Sequence, residues 1–174
     1  METINRVEIP EGIAVAKEGT RLKISGPRGT IEREFFHPAI SVEVREGEIL
    51  ISTAETRKKI VALNGTYAAH IRNMCQSVKD GVTYRMKVVY SHFPIQIKTI
   101  GNRLEIVNFL GEKYPRYARI EEGVKVTVGG DEITLTGIDR ERVGGTASNI
   151  ERATRIRKRD PRVFQDGIYL VERV

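Results

Sequence analysis

The sequence predicts an α+β fold: two tandem copies of a similar, mostly antiparallel sheet-plus-helix domain. Three observations carry that prediction. RLKI at 21–24 returns as RLEI at 103–106, SVEVREGEILIST at 41–53 as KVTVGGDEITLTG at 125–137, and KKIV at 58–61 as RERV at 140–143, with shifts of 82, 84 and 82 residues. Matches in the same order at near-constant spacing point to duplication of one unit. Alternating strand-like segments also outnumber helical ones, and neither copy alternates strand with helix as a parallel sheet requires. Finally, Asp80–Gly81 stops a helical pattern between the copies, dividing the chain into residues 1–81 and 82–174.

Within the first copy, SGPRGT (25–30) reads as a turn, because its glycines lack the strand–glycine–helix context of a dinucleotide site. SVEVREG and EILIST then alternate around Glu46–Gly47 as a hairpin. Ile60, Leu63, Tyr67, Ile71, Met74 and Val78 follow at helical spacing and predict a core-facing stripe. In the second copy, YRMKVVYSHFPIQIKTI and NRLEIVNFLGEK are strands joined by a Gly101–Asn102 turn, and NFLGEKYPRYARI continues as a loop. VKVTV and EITLTG flank GGD (129–131) as the matching hairpin. Asp139 caps the next helix, with Ile138 stapled on Val143, and Val143, Ala147, Ile150 and Thr154 form its narrow buried face. Gly144 and Gly145 each cost that helix roughly 1 kcal/mol relative to Ala, a cost that close packing on the sheet would explain. GIYLVERV ends the chain as a last strand after an Asp166–Gly167 turn.

Composition narrows the function. With 40% apolar and 30% charged residues, packed cores are expected and wholesale disorder is not. No apolar run approaches the ~18 residues of a membrane span, and METINRVEIPEGI lacks the pattern of a secretory signal. The lone Cys75 cannot form an internal disulfide and reads as a buried, inert thiol, so a cytosolic location is expected. Net charge is +6, unevenly spread: residues 1–81 hold 12 Lys/Arg against 11 Asp/Glu, residues 82–174 hold 17 against 12. The first copy is thus near neutral, and the second carries the basic excess of a chain with an acidic partner.

The residues of a catalytic or metal centre do not assemble in the sequence. His37, His70 and His92 lack metal-ligand spacing, there is no Cys/His cluster, and no phosphate-binding loop of the GxxxxGK[ST] type occurs. Neither a cofactor nor a small-molecule substrate is expected. An RNA-processing enzyme with a basic substrate patch remains the alternative, with Glu121, Glu122 and His92 as its only loop candidates for acid–base work.

The stretch RATRIRKRDPRVFQDG (152–167) is different. Arg152, Arg155, Arg157, Lys158, Arg159 and Arg162 stand within eleven positions, answered by the single acid Asp160. A helix end accounts for one or two such charges; six repel one another without a counterion. Five are Arg, whose planar fork grips phosphate bidentately and stacks on bases. If the helix continued, Arg155, Arg159 and Arg162 would share one side, but Pro161 disfavours helix at Asp160 and predicts a turn that fans the charges out. The loop at 108–120 adds Lys113, Arg116 and Arg119, interleaved with Tyr114 and Tyr117, which either stack on bases or pack on the sheet. No recognition-helix pattern for duplex DNA is visible, so RNA is the favoured polyanion.

NFLGEK, the helix after GID, and above all RDPRVFQDGIYLVER resemble the large-subunit ribosomal protein six family, in its archaeal and eukaryotic branch. YRMKVVYSHFPI (84–95) is similar to the opening of that family's second domain, SGPRGT to its first-domain loop, and the likeness covers essentially the whole chain. Arg152 departs from it, standing where Gln is commoner. The resemblance implies a cytoplasmic, non-catalytic constituent of the large ribosomal subunit with two duplicated α+β domains. It implies large-subunit rRNA and neighbouring ribosomal proteins as partners, with no membrane. The second domain would be the main rRNA binder, near the sarcin–ricin loop and the stalk base. Carried onto this chain, the contact would fall on Arg155 to Arg162 and the turn Phe164–Gly167. Phe164 is then a base-stacking residue or a core plug, the latter favoured for an isolated Phe, and Asp166 shapes the turn.

Overall fold

The computed structural model describes residues 3–90, 92–160 and 162–173. The chain divides into two compact units, Met1–Gly81 and Val82–Val174. It is α+β with antiparallel pairing throughout the described strands.

In the first unit, β1 (Thr3–Glu8) precedes a meander of β2 (Ala14–Glu18), β3 (Arg21–Gly26) and β4 (Gly29–Glu34). The hairpin β5 (Ser41–Arg45) and β6 (Glu48–Thr53) follows, with sheet order β1-β6-β5, and then α1 (Lys58–Asp80). SGPRGT is the β3–β4 turn. It docks on the last turn of α1: the Arg28 N–H donates to the Val78 carbonyl (3.0 Å), and a Cβ on Gly26 would fall 2.8 Å from that oxygen. Gly81 ends α1 at φ +80°, its N–H returning to the Ser77 carbonyl.

The buried face of α1 is rotated from the expected stripe. Asn64, Ala68, Ile71, Met74, Cys75, Ser77 and Val78 are buried, whereas Ile60, Leu63 and Tyr67 are only half-buried. Asn64, a polar residue that a search for apolar periodicity passes over, sits inside because its side-chain amide donates to the Thr3 carbonyl (2.9 Å). Burial pushes the Cys75 thiol pKa up, which keeps it protonated and unreactive.

The second unit repeats this order: β7 (Val82–Val89), the meander β8 (Gln96–Ile100), β9 (Arg103–Val107) and β10 (Arg116–Arg119), the hairpin β11 (Lys125–Gly129) and β12 (Glu132–Gly137), then α2 (Arg140–Ala153). It adds β13 (Gly167–Arg173) beside β7, giving the order β11-β12-β7-β13. The segment expected as a loop thus holds a 3-10 turn at Phe109–Gly111 and the short strand β10. Strand alternation places Met86 and Val88, Leu104 and Ile106, and Ile133 and Leu135 in one core with Val143, Ala147 and Ile150 of α2 and Ile168 of β13. Each of these side chains other than Ala147 contributes about 1.5–3 kcal/mol by leaving water.

Asp139 caps α2, its carboxylate accepting from the Glu141 N–H (2.9 Å). Val143 lies against Gly137, where a Cβ would fall 2.7 Å from Val143 Cγ2, so the close contact there is to this glycine. The expectation for Gly144 and Gly145 is corrected: Cβ atoms there would lie 3.9 Å from Tyr84 and 3.7 Å from Glu121, ordinary contact distances. Close packing on the sheet therefore does not explain these glycines.

Candidate nucleic-acid interface

The candidate interface is built on the segment between α2 and β13. Helix α2 stops at Ala153, so the alignment of Arg155, Arg159 and Arg162 along a continued helix does not arise. Thr154 is the reason the chain leaves the helix in one place: its buried hydroxyl lies 3.3 Å from the Ile150 carbonyl and accepts from the Ile168 N–H (3.2 Å), tying the start of β13 to the end of α2. Lys158 turns the backbone at φ +59°. Asp160 then forms a local turn, its carboxylate accepting from the Arg162 N–H (2.9 Å) and its carbonyl from the N–H groups of Val163 and Phe164. The one acid between Arg152 and Arg162 is thus engaged with backbone, not with the cations. Pro161 lies outside the described residues.

The six cations face solvent. Arg152 stands in the last turn of α2, and Arg155, Arg157, Lys158, Arg159 and Arg162 are exposed along the irregular segment. Among the described residues none of the six makes an ion pair.

Arg116 is turned inward and does a different job. Its guanidinium forks onto the Glu112 carboxylate (2.8 and 2.6 Å), and its remaining Nη donates to the carbonyls of Ala153 (2.9 Å) and Arg155 (3.0 Å). It also lies 4.4 Å from the centre of the Phe109 ring. Arg116 therefore satisfies carbonyls at the end of α2 and holds the backbone that aims Arg155. Hydrogen bonding to Arg116, then the positive charges of Arg116 and Arg159, hold the Glu112 carboxyl below its ordinary range. The turn carrying Glu112 is itself shaped by Asn108 and Leu110, both in left-handed backbone, and Asn108 donates to the Pro94 carbonyl (3.1 Å).

The other sequence-nominated residues divide. Lys113 is exposed, and Tyr114 stands 78% exposed, so it does not pack on the sheet. Tyr117 donates its hydroxyl to Glu105 (3.1 Å), a bond that raises its pKa. Arg119 sits at the far end of β10 from Arg116, 3.9 Å from Glu121, with its carbonyl held by Asn149. Phe164 is half-buried against the core: His92 stacks on its ring (centroids 5.0 Å apart) and the Arg159 guanidinium lies 4.7 Å from its centre. This is the core-plug arrangement, and it steadies Arg159.

Asp166 departs from expectation. Its side chain is fully buried, accepts no hydrogen bond from the turn, and has His92 Nδ1 at 3.5 Å as its nearest partner. Sequence reasoning treated His92 as a loop acid or base; instead it joins Asp166 to Phe164. Glu121 is engaged by Arg119 and Asn149, and no contact links it or Glu122 to His92 among the described residues. Also among the described residues, no group of three His, Cys, Asp or Glu side chains could hold a metal ion, and no helix is long and apolar enough to cross a membrane.

Comparison with known proteins sets this geometry in context. A family model described as Ribosomal protein L6 matches residues 9–81 and 93–167, one match in each unit. Full-length similarity extends to archaeal proteins named large ribosomal subunit protein uL6. That of Methanospirillum hungatei is 56% identical over 172 residues, covering 98% of both chains. That of Methanosarcina mazei is 47% identical over 172 residues, covering 99% of this chain and 98% of the relative. That of Aeropyrum pernix is 44% identical over 174 residues, covering 99% and 96%.

Proposed function

The chain belongs to the ribosomal protein L6 family, and from that membership we propose a structural constituent of the large ribosomal subunit that binds rRNA chiefly through its second unit. The carrying observation is the row of six exposed cations, without ion pairs among the described residues, on a segment bolted to α2 by Thr154 and Arg116. Exposed cations on a hydrogen-bonded frame suit phosphate: neutralising each phosphate releases condensed counterions, and the frame sets the register on the folded RNA. Arg152, Arg155, Arg157, Lys158, Arg159 and Arg162 are the phosphate ligands in this reading. Lys113 and Arg119 extend the surface, while Arg116 and Phe164 hold it in place.

The family resemblance further suggests a position near the sarcin–ricin loop and the stalk base, in cytoplasmic ribosomes. The near-neutral first unit would face neighbouring ribosomal proteins. An RNA-processing enzyme is not favoured, since the relatives are named as ribosomal subunit proteins.

The test is a salt titration of purified full-length protein on large-subunit rRNA fragments. With about six phosphates neutralised, affinity falls by roughly three orders of magnitude between 50 and 200 mM salt. A nearly flat response contradicts the proposal.

A further inference from the structure

We infer that the groove between the C-terminal half of α2 and residues 164–169 holds a single unpaired nucleobase, stacked on Tyr169. The inference rests on the RNA-binding reading above and specifies what that surface selects.

The groove has a volume of about 640 Å³ and is walled by Ile156, Phe164, Gln165 and Tyr169, with Arg152 and Arg155 also lining it. That volume lies within the ~300–1,000 Å³ typical of sites for compact organic ligands. Tyr169 is its distinctive member. The side chain is held at its hydroxyl end: the hydroxyl donates to the Gln165 carbonyl (3.0 Å), and that edge of the ring lies over Gly167, where a Cβ would fall 3.0 Å from Cζ and Oη. Glycine at 167 is thus what lets the ring lie there. Tyr169 nevertheless remains 47% exposed. An aromatic ring held in place yet open to solvent loses little conformational freedom when a flat partner stacks on it.

The alternatives within the interface are less suited. Phe164 is already engaged by His92 and Arg159 and Tyr117 by Glu105, while Tyr114, 78% exposed, has no hydrogen bond or ring contact among the described residues that holds its ring in place. The charges around Tyr169 fit a nucleotide. Arg152 and Arg155 line the same groove to take the flanking phosphates, and Lys87 is the cross-strand partner of Tyr169. The acid in the groove, Glu151, is occupied by the Leu170 N–H (3.1 Å). Bases displayed by loops and bulges are recognised by this combination of stacking and phosphate capture, whereas paired bases offer no accessible face.

The experiment compares two RNA duplexes of the same sequence, one fully paired and one with a single unpaired 2-aminopurine nucleotide, binding to the full-length chain. The bulged RNA should bind roughly tenfold more tightly, the scale of one base–aromatic stack, and its fluorescence should be quenched on binding. Tyr169→Ala should erase both the preference and the quenching while leaving the salt slope for the paired duplex unchanged. Gly167→Ala should weaken them by displacing the ring without removing an aromatic. Equal binding of the two RNAs by the wild-type chain, or preference and quenching that survive Tyr169→Ala, would overturn the inference while leaving RNA binding intact. Failure to bind either RNA would instead overturn the RNA-binding reading on which it rests.

Discussion

Replacing Arg155, Arg157, Lys158 and Arg159 together with Ala yields a folded chain whose affinity for large-subunit rRNA falls several-hundredfold near physiological salt. The magnitude follows from counterion release: four lost contacts at a slope of about 0.7–0.9 each amount to roughly two and a half orders of magnitude at 0.15 M. The slope of log affinity against log salt should itself drop by about three. All four side chains are exposed and none forms an ion pair among the described residues, so little native contact is lost. The exception is Arg159, whose contact with Phe164 is worth about 0.5–1 kcal/mol at an exposed site. Circular dichroism and a thermal melt establish folding, and filter binding across salt concentrations gives the slope. An unchanged slope would reduce the cluster to a solvated surface segment with no part in RNA binding.

Arg116→Ala produces the opposite pattern, a loss of stability before a loss of charge. The substitution removes two charge-assisted bonds to the carbonyls of Ala153 and Arg155, the fork on Glu112 and the contact with Phe109. With the side chain only 24% exposed, we expect the second unit to lose about 2–3 kcal/mol, as for hydrogen bonds involving a charged partner. Arg116→Lys should recover less than half of this, because an ammonium cannot make the fork and the two carbonyl bonds together. The effect also depends on pH. Glu112 has a folded-state pKa below its ordinary value, so its contribution is present at neutral pH and is lost as pH falls through the folded pKa. The gap between wild type and Arg116→Ala in denaturant unfolding should therefore narrow between pH 7 and pH 3. A gap of constant size would show that the carbonyl bonds alone carry the stabilisation.

The cation cluster and Arg116 also show how far the sequence could be read. The duplication was legible because hydrophobic alternation and hairpin turns survive in both copies: RLKI and RLEI are β3 and β9, and the matched hairpins are β5–β6 and β11–β12. The weaker strands were not. AVAKE (β2) and RYAR (β10) are short and poor in β-branched residues, so their pairing is imposed by their neighbours in the meander. Missing β10 misplaced Arg116. In RYAR the period of two sets Arg116 on the side of buried Ala118 and sends Tyr117 and Arg119 outward, a signal available once the strand is recognised.

The cation cluster was legible from charge density alone, because exposed side chains need no tertiary context to be counted. Its supports were not. That His92 reaches Asp166 and Phe164 depends on a contact spanning more than seventy residues, and that Tyr169 is fastened over Gly167 depends on a ring folding back along its own strand. Asn64 was hidden for a related reason: a buried amide is intelligible only when its backbone partner, the Thr3 carbonyl, is known.

The most direct test of the central claim is ultraviolet cross-linking of intact ribosomes, followed by mass spectrometric identification of the nucleotide-bearing peptides of this chain. Large-subunit rRNA contact through the second unit predicts cross-links concentrated in residues 152–169, with Tyr169 among the modified positions. Cross-links confined to residues 3–81, or recovery of the chain outside the large-subunit fractions, would contradict it.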